Sequence, residues 1–150
     1  MTTPKQLVLN ALERTTRDIV RDAARVPADR WRDSPAGSAN SLCEVLGHLI
    51  ECEDWWLINL GVPDAERPPV PSLEGVESGE AAAALFSAAR QHLLDHLSGL
   101  PDSFFENRVP ACQYGGMATG ADLLLYTAEH DFYHDGQIQM LEMAFTPPEG

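Results

Sequence analysis

Four times along this chain a side chain suited to capping a helix stands just ahead of a long amphipathic stretch, and proline or glycine closes each stretch. Thr3 precedes Pro4 and, at the capping-box spacing, Gln6. This puts a proline where a helix tolerates one best. Leu9, Leu12, Thr16, Ile19, Ala23 and Val26 then recur every three or four residues, predicting a helix that ends near Val26-Pro27. Ser41 with Glu44 opens a second helix to about Leu60, before Gly61 and Pro63. Ser78 opens a third through Ala81–Ala84 to Ser98, stopped by Gly99 and Pro101, and Thr119 with Asp122 opens a fourth to about Phe145. Between them lie a polar loop, Asp33–Asn40, and two long connections, Pro63–Gly79 and Pro101–Ala118. No strand pattern or internal repeat stands out. Helices this long bury their stripes against one another, so the expected architecture is all-α: one four-helix bundle over residues 1–150 with long crossover loops.

Composition narrows the function. With 150 residues, 44% of them hydrophobic, the chain is long enough for a core and too apolar for disorder. Its 23 acidic against 10 basic residues give a net charge of −13. Nucleic acid and anionic membranes both call for the opposite sign. No apolar run approaches the roughly 20 residues that span a bilayer, and the first residues lack the layout of a secretory signal. Cys43, Cys52 and Cys112 are odd in number and widely spaced. That argues against a disulfide framework or thiolate zinc site and for a reducing, cytoplasmic setting.

Five histidines remain as chemistry-bearing residues: His48, His92, His96, His130 and His134. Two pairs have i, i+4 spacing, which sets both rings on one helix face. On the fourth helix, Leu123, Thr127, His130, His134, Gln137, Ile138 and Leu141 share a stripe, opposite Asp131, Asp135, Gln139 and Glu142. His130 and His134 are thus expected to face the interior. The third helix centres on Phe86, Ala89, Leu93, Leu97 and Leu100, which leaves His92 and His96 as a boundary pair. His48 sits among Val45, Cys52, Trp55 and Trp56; by itself it reads as a hydrogen-bonded core residue, and beside two interior histidines as a third ligand. Three neutral imidazoles suit Zn²⁺, Ni²⁺, Co²⁺, Fe²⁺ or Mn²⁺ and leave a coordination position open.

Gly47-His48-Leu49 with Glu53-Asp54-Trp55-Trp56, and the late run His130-Asp131-Phe132-Tyr133-His134-Asp135-Gly136-Gln137-Ile138, resemble the DinB-like superfamily. The resemblance spans essentially the whole chain. It implies a four-helix bundle whose divalent metal is held by His48, His130 and His134. It also implies relatives that are bacillithiol- or mycothiol-dependent S-transferases, mycothiol-dependent maleylpyruvate isomerases, or proteins described only as metal-dependent hydrolases. On that basis the chain is expected to activate a low-molecular-weight thiol against a small electrophile. Alternatives are hydrolysis by metal-bound hydroxide and a non-enzymatic bundle that binds a small molecule or partner. A homodimer is a further expectation. A di-iron oxygenase needs Glu-x-x-His, which the chain lacks.

Neighbouring residues carry smaller expectations. Gly136 would let another helix approach, and Gln137 could bond a ligand ring or sit in solvent. Glu44 and Glu51 read as a solvated face, with a general-base role as the alternative. Tyr126 reads as packing or as an orienter of a ligand. Cys52 reads as a small core residue, with a fourth ligand as the alternative. Arg14, Arg17, Arg21 and Arg25 form a salt-bridged outer face with Glu13, Asp18 and Asp22. Trp55 and Trp56 anchor packing, one of them beside a pocket.

Overall fold

The computed structural model describes residues 1–36, 39–110 and 117–149. Four long helices carry the fold: α1 (Pro4–Ala23), α2 (Leu42–Asn59), α3 (Gly79–Gly99) and, numbered after a short intervening helix, α5 (Gly120–Phe145). All-α bundling is therefore what the chain adopts. Each start is the anticipated cap. The Gln6 amide donates to Thr3 Oγ1 at 3.2 Å and the Glu44 amide to Ser41 Oγ at 3.2 Å. Asp122 donates to Thr119 Oγ1 at 3.1 Å, and Ala81 to Ser78 Oγ at 3.1 Å. Helix α2 ends in a Schellman turn: Val62 N–H reaches Leu57 O and Gly61 N–H reaches Ile58 O, both at 3.0 Å. Gly61 supplies the φ of +81° that this turn requires.

The connection from Pro101 holds more structure than its composition suggested. A short helix α4 (Asp102–Glu106) precedes two three-residue strands, β1 (Arg108–Pro110) and β2 (Met117–Thr119). They pair antiparallel with Val109 opposite Ala118. Strands this short are below the length at which alternation is readable, so sequence reading missed them. Cys112, Tyr114 and the Gly115-Gly116 pair lie outside the described residues. Where β2 turns into α5, Gly120 lies so close to α4 that a Cβ there would collide with the Phe104 carbonyl oxygen.

Two apolar clusters fill the bundle. One gathers Ile19, Ile50, Phe86 and Ile138; the other gathers Leu12, Trp56, Leu93 and Ala128. Between them, on every helix, stands a polar residue: Thr15 and Thr16 on α1, Glu53 on α2, Arg90 on α3 and Asp131 on α5. Arg90 is fully buried and uses all its donors. Nε and Nη2 give Glu53 two bonds of 2.7 Å, and Nη1 and Nη2 reach Asp131 at 2.9 and 3.1 Å. Nη1 also reaches Thr16 Oγ1 at 3.3 Å, while Thr15 Oγ1 donates to Asp131 at 2.6 Å. Burial pushes the Glu53 carboxyl above its usual range, and the charge of Arg90 pulls it back.

This pin corrects the reading of the fourth helix. Asp131 and Asp135, assigned to the solvent side, are 1% and 7% exposed. The core axis of α5 runs through Leu124, Ala128, Asp131 and Ile138, and the histidines border it. Gly136 faces open space rather than a neighbouring helix. Among the described residues no helix is long and apolar enough to cross a membrane.

Candidate metal centre

Helices α2 and α5 pack against each other so that His48 on the first and His130 and His134 on the second turn toward one another. His130 Nε2 lies 3.1 Å from His48 Nε2 and 3.0 Å from His134 Nε2. Ring centroids are 4.4–5.1 Å apart, with the rings steeply inclined. An imidazole nitrogen has one in-plane direction, which holds either a hydrogen or a lone pair. His130 Nε2 therefore cannot satisfy both neighbours by hydrogen bonding, whereas a shared cation can take all three lone pairs. Around a tetrahedral ion with metal–nitrogen bonds of about 2.0–2.1 Å, donor nitrogens sit about 3.3 Å apart. The donor set fits such an ion.

The electrostatics favour neutral, ligating rings. Burial holds His130 below the ordinary histidine value, helped by the charges of His134 and His48. Burial does the same for His134, against the hydrogen bond that its ring donates to Gln137. That bond joins Gln137 Oε1 to His134 Nδ1 at 2.7 Å. It places the ring hydrogen on Nδ1 and leaves the Nε2 lone pair facing the cluster. Gln137 Nε2 in turn lies 3.4 Å from the Tyr133 hydroxyl.

Cys52, read as a core residue, instead borders the histidines, one turn after His48. Its Sγ is 3.6 Å from His48 Nε2, and the ligand atoms of His48, Cys52 and His130 all lie within 4.8 Å of one another. Burial pushes the thiol up to about 12, and the charges of Glu53, Asp131 and Glu51 add to the rise.

Beside the cluster is a cavity of about 230 Å³ lined by His48, Cys52, Trp55, Trp56, Tyr126, Thr127 and His130. The two indoles meet edge to face at 5.0 Å, so both tryptophans wall the pocket while Trp56 also anchors the core. Thr127 is 3% exposed, yet its hydroxyl has no hydrogen-bond partner among the described residues. By contrast, the equally helical Thr16 donates back to Leu12 O at 2.6 Å. A buried hydroxyl left without a partner beside a pocket marks a place for a polar group of a ligand. The sequence signal was there: Thr127 precedes His130 by three residues on the same stripe.

Other candidates lie elsewhere. Glu44 is consumed by its cap, where hydrogen bonds from the Ser41 backbone and hydroxyl hold its carboxyl below the usual range. Glu51 is exposed and does not line the cavity. His92 is exposed and borders a separate cavity of about 260 Å³ between α2, α3 and Pro68–Pro71. His96 is half-buried, its Nε2 unpartnered, and like His92 it is not among the rings that converge. Arg21 pairs with Asp18 and Asp22 at 2.8 and 2.7 Å, and Arg25 with Asp22 at 3.5 Å, on the outer face anticipated for them. Asp22 itself is buried.

No curated protein and no solved structure matches the chain. The profile of one family does, over residues 11–138, a span that contains the three converging histidines, Cys52, Gln137, all of α2 and most of α5. With a helical bundle and a histidine cluster already in place, that match settles the kinship: the chain belongs to the DinB superfamily.

Proposed function

We propose that His48, His130 and His134 hold one divalent cation and that the chain is a metal-dependent enzyme transferring a low-molecular-weight thiol, of the mycothiol or bacillithiol kind, to a small electrophile. The observation that carries this reading is the convergence of three Nε2 atoms, each of its two measured separations 3.0–3.1 Å, at the edge of an aromatic-walled cavity. A divalent cation at this position supplies a Lewis acid that lowers the pKa of a thiol or water beside it.

The chain's own residues do the rest. Gln137 orients His134, and burial keeps His130 and His134 neutral. Trp55, Trp56 and Tyr126 wall the cavity, favour an apolar substrate body and limit water. Thr127 hydrogen-bonds a polar atom of the substrate and fixes its approach. In the transfer the thiol sulfur bonds to the electrophilic carbon, the leaving group departs with its electron pair, and the thiol proton passes to solvent.

Thiol transfer is favoured over hydrolysis by the wall of the cavity. The same cation would activate water, so the aromatic walls of Trp55, Trp56 and Tyr126, which suit an apolar substrate body, and the resemblance to thiol transferases are what support this preference. Elemental analysis of wild type, His48→Ala, His130→Ala, His134→Ala and His92→Ala tests the metal. One equivalent in wild type and His92→Ala, with loss in the other three, supports the reading; a wild type that cannot be reconstituted with any divalent ion sinks it. Monochlorobimane with mycothiol or bacillithiol tests the reaction. Conjugation above the uncatalysed rate supports transfer, and ester hydrolysis with no conjugation moves the assignment to a hydrolase.

A further inference from the structure

We propose that Cys52 is a fourth donor to the cation, so that the centre is a three-histidine, one-cysteine site that selects thiophilic ions. This inference rests on the three-histidine reading and adds a fourth ligand to it. Cys52 follows His48 by one turn of α2, so any rotation that brings one to the cluster brings the other.

The distances fit a shared ion. Bonds of about 2.0–2.1 Å to nitrogen and about 2.3 Å to sulfur place tetrahedral nitrogen and sulfur donors about 3.6 Å apart. The separation of Cys52 Sγ from His48 Nε2 is 3.6 Å. The ligand atoms of His48, Cys52 and His130 lie within 4.8 Å of one another, a set without His134, which joins through His130, the two Nε2 atoms being 3.0 Å apart. An independent mark of a ligand stands on the same wall, the unpartnered and buried hydroxyl of Thr127. The other described cysteine, Cys43, is occupied elsewhere, with Arg32 Nη1 3.3 Å from its sulfur.

When Cys52 ligates, a sulfur–metal bond forms and the thiol proton leaves to solvent. A thiolate among imidazoles shifts preference from Mn²⁺ toward Zn²⁺ and Co²⁺. A fourth protein donor would fill the position that three histidines leave open, so a thiol cosubstrate would have to share the ion with Cys52 or replace it.

The test uses full-length protein stripped of metal, kept reduced with a phosphine rather than a thiol, and titrated with Co²⁺. Wild type is expected to bind one equivalent and show both visible ligand-field bands and an intense near-ultraviolet sulfur-to-cobalt band. Cys52→Ser and Cys52→Ala lose the ultraviolet band and keep the visible ones, whereas Cys43→Ser with Cys112→Ser keeps both. One equivalent bound by wild type without the ultraviolet band, or a band that survives both Cys52 variants, overturns the cysteine ligand and leaves the histidines standing. Failure of wild type to bind Co²⁺ or Zn²⁺ at all overturns both readings together.

Discussion

Helices α2 and α5 each contribute to two polar clusters, and the two are built on opposite principles. Glu53 and Asp131 meet Arg90 in a closed set where opposite charges and matched donors satisfy one another. Barely a turn away, His48 and His130 meet His134 and Cys52, and the central His130 Nε2 cannot pair with both neighbouring imidazoles at once. The first arrangement is complete as folded. The second leaves imidazole nitrogens converging on one another, the arrangement on which the proposed metal site rests. Burial by itself does not distinguish a structural polar group from a binding one; the sign and type of its neighbours do.

The sharpest way to break this comparison is to remove Arg90. Arg90→Met leaves two carboxylates buried without a counter-charge, and the expected loss is about 3–5 kcal/mol in urea unfolding. Restoring much of that loss with Glu53→Gln and Asp131→Asn in the same chain would identify uncompensated charge as the cause. A loss under about 1 kcal/mol for Arg90→Met would mean that the pin does not hold the helices.

The histidine cluster should respond the opposite way. His48 is exposed, so His48→Ala is expected to abolish stoichiometric metal while changing metal-free stability by no more than about 0.5 kcal/mol. A large fall in the stability of the stripped protein would instead make the cluster structural. Gln137→Leu removes only the bond that orients His134, and a metal affinity lower by about 10–100-fold is the expected result in a competitive chelator titration. Unchanged affinity would leave Gln137 without a part in binding.

Acid sharpens the contrast further. Burial puts His130 and His134 below the ordinary 6.5, so the unfolded chain binds their protons first as pH falls. Their contribution is full above about pH 6.5 and is lost as pH drops below it toward the folded values. Metal-free melting temperatures should therefore decline in that window, and His130→Ala should flatten the decline.

The smallest effect is expected at Asp135, where burial and the charge of Asp22 push the carboxyl up to about 6. A raised carboxyl stabilises below its unfolded value of 3.8 and loses that contribution as pH rises through about 6. Asp135→Asn should thus raise the melting temperature at pH 7 more than at pH 4. The reverse order would show that the fold holds the Asp135 carboxyl below its unfolded value rather than above it.

The four long helices, their starts and the superfamily were legible in the residues because they depend on local rules, whereas the short α4 was not. A cap, a proline at the first turn and a glycine past the end act over three or four residues, and Thr3, Ser41, Ser78 and Thr119 all do what such residues do in isolation. The pair His130 and His134, with Gln137 after them, could be chosen over His92 and His96 from the resemblance and from their stripe. The two strands were not legible, since three residues carry no period. Nor was the burial of Asp131 and Asp135, because hydropathy assigns a carboxylate to water unless its partner is known.

That partner, Arg90, lies 41 residues away on another helix. Only the tertiary structure could bring it to Asp131, turn Cys52 from the core to the edge of the histidines, and leave Thr127 as a buried hydroxyl without a partner. Hydrophobic periodicity states how much of a helix is buried but not what a polar side chain meets there. What it meets is decided by how four helices rotate against one another, a property that no single helix contains.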